Sequence, residues 1–178
     1  MNLILLSLLG FGCAIGLSAH AAGGIVGGGG NAFTQQDPFL PAPIASVHAE
    51  VENAVDRLVP YLRIKRGQAQ SDPGMSPLWQ KLFAKPEEVF AVLAVEKFEM
   101  LDDAACFDRN GTAYDGSTLT GSSNTICISI QRLARRIAPS EIRRQSFALL
   151  IHEISEVLGF SDDEAVDLQI EVLKSDLD

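Results

Sequence analysis

His152, Glu153 and Glu156 sit in the stretch Leu149-Leu150-Ile151-His152-Glu153-Ile154-Ser155-Glu156-Val157-Leu158, whose apolar residues recur with helical period. On a helix, His152 and Glu156 are one turn apart and about 40° from each other around the axis. Glu153 stands on the flank of that polar side, and Phe147, Leu150, Ile151, Ile154, Val157 and Leu158 form a broad apolar arc opposite. An imidazole nitrogen and a carboxylate oxygen one turn apart can grip one divalent ion. A second carboxylate beside them can then take the proton from a water that the ion activates. Gly159 is placed to end the helix in the left-handed conformation, so the chain reverses at once. Asp162 and Glu164 follow within the reversing segment, and either is in position to complete a ligand set. The competing reading is purely structural. A helix packed on a core must show a polar face, and acids in a first turn favour the helix dipole. That reading expects His152 and Glu156 to face bulk water with no third acid in reach.

The run from Leu149 to Gly159 resembles the motif helix of the zincin metallopeptidases, where H-E-x-x-H supplies two histidine ligands and a glutamate general base. The likeness holds at His152, Glu153, the apolar filling and Gly159, and it departs at Glu156, which stands where the second histidine belongs. Counted from His152, the metzincin pattern H-E-x-x-H-x-x-G-x-x-H/D puts its glycine at Gly159 and its third ligand at Asp162. Glu164 is the alternative, by likeness to the downstream glutamate of gluzincins. The broader resemblance, to a sheet followed by two helices, covers Lys97 to Asp178. It implies one divalent metal ion, zinc first, held by His152, Glu156 and either Asp162 or Glu164, with Glu153 as general base. An oxygen-rich ligand set of this kind also admits manganese or iron. The substrate implied is a peptide or protein, lying extended along a sheet edge above the motif helix. Glu156 makes an activated water less acidic than a histidine-rich site would. The resemblance therefore implies a second outcome, a catalytically inactive zincin-fold envelope protein acting as a binding or scaffold module.

The elements that must position these residues are legible upstream. Leu3 to Leu17 is apolar and uncharged, and Ala19-His20-Ala21-Ala22 offers an A-x-A-like cleavage site. Residues 1–22 read as a secretory signal peptide, so the mature chain is expected in the periplasm or outside the cell. The apolar run is shorter than the ~20 residues that span a bilayer, so no stable membrane insertion is expected after cleavage. Residues 23–45 are Gly-rich and then Pro-rich, which reads as a flexible leader. The domain proper is expected over 46–178. Val47, Val51, Val55, Leu58 and Leu62 predict a helix from Ser46, as N-cap, to Ile64, with a loop from Arg66 to Gly74. Ser76-Pro77 and Lys85-Pro86 predict two short helices, Pro77 to Phe83 and Pro86 to Ala94, with Trp79 and Phe83 in the core. Lys97 to Leu101, Ala104 to Phe107 and Thr125 to Ile130 read as strands. Asn110-Gly111 and Asp115-Gly116 are tight-turn signals between them. A helix from Ser129 to Ala138 follows. Ser140 is expected to cap the motif helix, and Ser161 with Glu164 forms a capping box for a last helix, Asp162 to Leu173. The fold class expected is α+β, mostly helical, with a small antiparallel sheet preceding the metal-motif helix.

The formal net charge is −9, and no charged residue precedes Asp37. An acidic domain repels phosphate backbones, so nucleic acid is not an expected partner. Arg132, Arg135, Arg136, Arg143 and Arg144 read as a solvated face near the carboxylates of the C-terminal helix. Loss of the signal peptide removes Cys13 and leaves Cys106 and Cys127, which are expected to pair in an oxidising compartment. Closing that loop stabilises the fold by about 3 kcal/mol in the chain-entropy model. The mature chain, unfolded without reductant, is expected to titrate no thiol with a thiol-specific reagent; two thiols would refute the bridge.

Overall fold

A computed structural model of the chain describes residues 42–107, 111–118 and 125–175. The signal-peptide segment and nearly all of the expected leader lie outside the described residues. Within them the domain is mostly helical α+β, as the sequence suggests. The first helix, α1 (Ile44–Ser71), is longer than its expected span and starts inside the segment assigned to the leader. Its N-cap is Pro43 rather than Ser46. The residues that continue it past Ile64, among them Lys65, Arg66, Gln68 and Ala69, are good helix formers. It stops only at Asp72, where Pro73 disfavours helix and the Asp72 carboxylate accepts from Gly74 N at 2.8 Å. The expected loop from Arg66 is therefore confined to the Pro73-Gly74 turn. Val47, Val51, Ala54, Leu58 and Leu62 form the buried stripe of α1.

Two short helices, α2 (Pro77–Leu82) and α3 (Pro86–Val95), start where the prolines predict. Trp79 and Phe83 stack with ring centroids 6.0 Å apart and are buried in the core. Strand β1 (Lys97–Leu101) follows at the expected place. β2 (Cys106–Phe107) and β3 (Ala113–Tyr114) form a two-stranded antiparallel ladder. β4 (Gly116–Thr118) and β5 (Thr125–Ser129) join β1 in a three-stranded sheet of order β1-β5-β4. This sheet is mixed, not antiparallel: β1 runs parallel to β5, with Phe98 opposite Ile126 and Met100 opposite Ile128, and only β4 is antiparallel to it. Gly111 has φ +78°, the left-handed backbone that a turn glycine supplies. Gly116 does not adopt positive φ, so Asp115-Gly116 is no tight turn. It is a bend where the chain leaves the β2–β3 ladder and enters the main sheet.

The remaining helices are α4 (Ile130–Arg136), capped by Ser129, then α5 (Ile142–Val157) and α6 (Asp162–Lys174). A single 3-10 turn, Pro139–Glu141, separates α4 from α5, so Ser140 lies before the motif helix and does not cap it. α5 is the centre of the domain: α1, α6 and β4 pack around it. Every residue of α5 from Gln145 to Ser155 is buried. Over that stretch the helix has no solvated side, although its sequence shows a polar one.

Two bonds outside the apolar core hold the sheet over α5. Cys106 and Cys127 are bridged with Cα atoms 5.8 Å apart, which ties the β2–β3 ladder to β5. Asp115, directly before β4, has a side chain only 1% exposed. It takes Arg132 Nε at 2.5 Å and Arg136 Nη1 at 3.0 Å, both from α4. Two members of the arginine cluster therefore serve a buried carboxylate rather than a solvated face. A third, Arg144, pairs with Glu141 and donates to the Leu173 carbonyl at the end of α6. Removing both partners of Asp115 leaves an uncompensated buried charge. The double substitution Arg132→Met with Arg136→Met is expected to lower unfolding stability by about 3 kcal/mol. This is the lower end of the range for broken buried pairs, because the guanidinium groups are partly exposed. Urea denaturation reads this directly, and an unchanged midpoint would remove the clamp from the account of the fold.

Candidate metal centre

The end of α5 and the start of α6 build the site. Gly159 closes α5 with φ +84°. Gly159 N donates to the Glu156 carbonyl at 2.9 Å, and Phe160 N donates to the Ser155 carbonyl at 3.0 Å, the two bonds of a Schellman closure. Ser161 then starts α6 with a complete capping box. Its hydroxyl accepts from Glu164 N, and the Glu164 carboxylate accepts from Ser161 N at 2.9 Å. Reversal and cap together fix where the first residue of α6 points. Asp162 Oδ1 comes to 3.9 Å from His152 Nε2, and Glu156 Oε1 lies 3.8 Å from the same nitrogen. One ligand atom from each of the three residues falls within 4.8 Å of the other two.

These separations suit a shared cation. Bonds of about 2.1 Å to a tetrahedral ion put neighbouring ligand atoms about 3.4 Å apart, so small rotamer adjustments close the set. His152 is fully buried, and neither ring nitrogen has a hydrogen-bond partner of good geometry. Its Nε2 faces two carboxylates. Burial lowers the imidazole pKa, opposed by Asp162 and by the Ala165 backbone and Gln169 side chain lying against the ring from α6. A neutral imidazole with a free lone pair is what a metal ligand requires. The residues present therefore fit a divalent ion, with one nitrogen and two carboxylate oxygens.

Glu153 is also fully buried, and both of its carboxyl oxygens lack a hydrogen-bond partner. Its pKa is pushed well above the usual carboxylate range, first by burial and then by the charges of Glu156 and Asp162. Glu156 is raised as well, by burial and Asp162, against a hydrogen bond from Thr118. Thr118 Oγ1 donates to Glu156 Oε2 at 3.4 Å. Two residues earlier on the same face of β4, Gly116 lies against Glu153. A Cβ built on Gly116 would stand 2.6 Å from Glu153 Oε1 and 2.7 Å from Leu149 Cδ1. The strand can cross the acids only because this residue has no side chain.

The structure thus brings His152, Glu156 and Asp162 together, with Glu153 beside them. Glu164 is not part of the group. Its carboxylate is held by Lys81 and by Ser161, and the Lys81 hydrogen bond keeps its pKa below the usual range. The placement expected by the purely structural reading, with His152 and Glu156 in bulk water and no third acid near, is not the one found. His152 is buried, the Glu156 side chain is 20% exposed, and Asp162 is the third acid. Ser155, between the two acids, donates to the Ile151 carbonyl at 2.6 Å and is committed to the helix backbone. Sequence reasoning missed Gly116, Thr118 and Gln169. Gly116 was hidden by its turn-like neighbour Asp115. Gln169 was legible in principle, since it lies seven residues after Asp162 and so on the same face of α6.

The sequence matches no protein-family model and no curated protein, and the fold matches no solved structure. The site is therefore read from its own geometry. Gly116→Ala is expected to cost about 1–3 kcal/mol, because an overpacked buried contact must be relieved by moving β4 off α5. Gly67→Ala is the control, since nothing lies within 4 Å of its added Cβ inside α1. There the change is expected to stabilise by about 0.5–1 kcal/mol. Thermal unfolding of both variants checks the pair, and equal effects would contradict the close approach.

Proposed function

We propose that this chain is an exported zincin-like metal-dependent peptidase, or a divergent relative of one. The observation that carries the reading is the convergence of His152, Glu156 and Asp162 beside a buried, hydrogen-bond-free Glu153. His152, Glu156 and Asp162 would hold one divalent ion, zinc first. When bound, such an ion supplies Lewis acidity that activates water and polarises a carbonyl. Glu153 serves as the general base, taking a proton from the attacking water and handing it to the leaving amine. Its lack of any hydrogen-bond donor keeps the carboxyl available for that exchange. Gly116 keeps β4 close enough to shield it from bulk solvent, and Thr118 orients Glu156. Export agrees with the Cys106–Cys127 bridge.

A second reading is favoured by one observation. His152 and Glu153 have no exposed surface, and solvent reaches the group only through Glu156 and Asp162. A centre so enclosed also suits a zincin-fold envelope protein in which the ion is structural and the domain serves as a binding or scaffold module. Metal analysis of the purified mature chain separates the possibilities. The expected result is one ion per chain after dialysis, lost in His152→Ala. Glu153→Gln is expected to retain the ion and lose peptide hydrolysis by at least about 100-fold, the lower bound for a general base. Retained metal with no hydrolysis by the unaltered chain selects the scaffold reading. Absence of metal, after incubation with zinc and with manganese, ends both.

A further inference from the structure

On the side of the domain formed by α1 and α5 lies a cavity of about 260 Å³, separate from the acidic cluster and unlike it in charge. Its walls include Tyr61, Ile64 and Pro60 of α1 and Phe147 of α5, an apolar surface. Tyr61 and Phe147 meet edge to face with centroids 4.8 Å apart, so this wall is rigid. Ile64 is 63% exposed and lines the same cavity. Around the apolar surface stand Arg57, Lys65 and Arg143.

Those three cations set the chemistry of the cavity. None has a carboxylate partner among the described residues, which is also true of Arg63, Arg66, Lys97, Arg135 and Lys174, but these three stand around one apolar concavity. The chain has 14 lysines and arginines against 23 acids, so a basic group here has abundant potential partners. Lys81, Lys85, Arg132, Arg136 and Arg144 all have carboxylates. Arg57 and Arg143 form no ion pair among the described residues. Lys65 lies over the rings of Tyr61 and Trp79, at 5.5 and 5.6 Å from their centroids. Its nearest acidic influence is Glu171, which does not overcome the effect of burial on the ammonium. Three like charges around one apolar concavity repel each other, and an anion between them reverses that cost. Two guanidinium groups also offer the forked donors that a carboxylate accepts.

We propose that the cavity between α1 and α5 is a binding site for a small amphipathic carboxylate. The head group lies between Arg57, Arg143 and Lys65, and a short acyl or aromatic body lies on Tyr61, Phe147 and Ile64. The size of the cavity, just below the usual range for drug-sized ligands, sets the ligand class to about ten non-hydrogen atoms. The site is independent of the metal centre, which lies at the end of α5 against α6.

Octanoate is the probe, titrated calorimetrically into the full mature chain. One molecule per chain is expected, with affinity falling as salt is raised. Arg57→Gln with Arg143→Gln is expected to weaken binding by about tenfold or more, since two charge-assisted hydrogen bonds are removed. Both residues are exposed, so the fold is expected to persist, and an unchanged unfolding midpoint verifies it. Ile64→Glu, at an exposed position, places a negative charge at the mouth and is expected to abolish binding. Octan-1-ol, with the same tail and no charge, is expected to bind at least about tenfold more weakly than octanoate. No octanoate binding, equal binding of octanol, or full binding by the double variant would each overturn the proposal. Metal content is unaffected by any of these results, so the metal centre and this cavity stand or fall separately.

Discussion

Three carboxyl groups under one strand, with a buried histidine and no ion pair to an arginine or lysine among the described residues, are the constraint around which the domain is arranged. Burial raises the cost of ionising Glu153 and Glu156, Asp162 adds to both, and Glu156 adds to that of Glu153. The same chain neutralises its other buried acid thoroughly. Asp115 receives two guanidinium groups from one helix. Buried charge left without a partner is expensive. Asp115 is clamped by two guanidinium groups, whereas the carboxyl of Glu153 has no hydrogen-bond partner among the described residues, and His152, Glu156 and Asp162 beside it form a group that could hold a metal ion. With neutral His152 and ionised Glu156 and Asp162, a divalent cation leaves no net charge on the ligand set. A cation at that point would reverse the effect on Glu153 and favour its ionised form.

The surrounding structure follows from holding that group in place. From Gln145 to Ser155, α5 is buried on all sides because it must carry both the core and the acids. The Schellman closure at Gly159 and the capping box at Ser161 deliver Asp162 within one reversal of the chain. The cap also separates Asp162 from Glu164. Glu164 completes the box and pairs with Lys81, and both uses point it away from His152. β4 is held from two directions, by the Asp115 clamp at its start and by its ladder to β5, which the disulfide ties to the β2–β3 pair.

Local signals were legible where a residue type has one conformational use. Gly159, the Ser161–Glu164 box and the two proline-initiated helices were of this kind, and so were the helical period of α5 and the Cys106–Cys127 pair. What was not legible depended on distant partners. The helix wheel shows that His152 and Glu156 share a side, but it cannot show that β4 and α6 cover that side. The parallel pairing of β1 with β5 was hidden for the same reason. Strand alternation reports which side chains share a face, not the direction of the neighbour. Asp115-Gly116 has the composition of a turn, and here both residues were chosen by tertiary demands. The aspartate anchors α4, and the glycine makes room for Glu153.

The departure at Glu156 gains meaning from this packing. A histidine there would present a bulkier ring to Thr118 and would leave Asp162 as the only anionic ligand. Glutamate accepts the Thr118 hydroxyl with one oxygen and turns the other toward His152 Nε2. The substitution is thus accommodated by the strand above it rather than merely tolerated on a helix face. It makes the donor set richer in oxygen, which admits manganese or iron as well as zinc. Glu156 and Asp162 are the partly exposed members of the group, while β4 lies across Glu153 at Gly116 and α6 packs along α5, so access to Glu153 depends on how closely β4 lies on the motif helix.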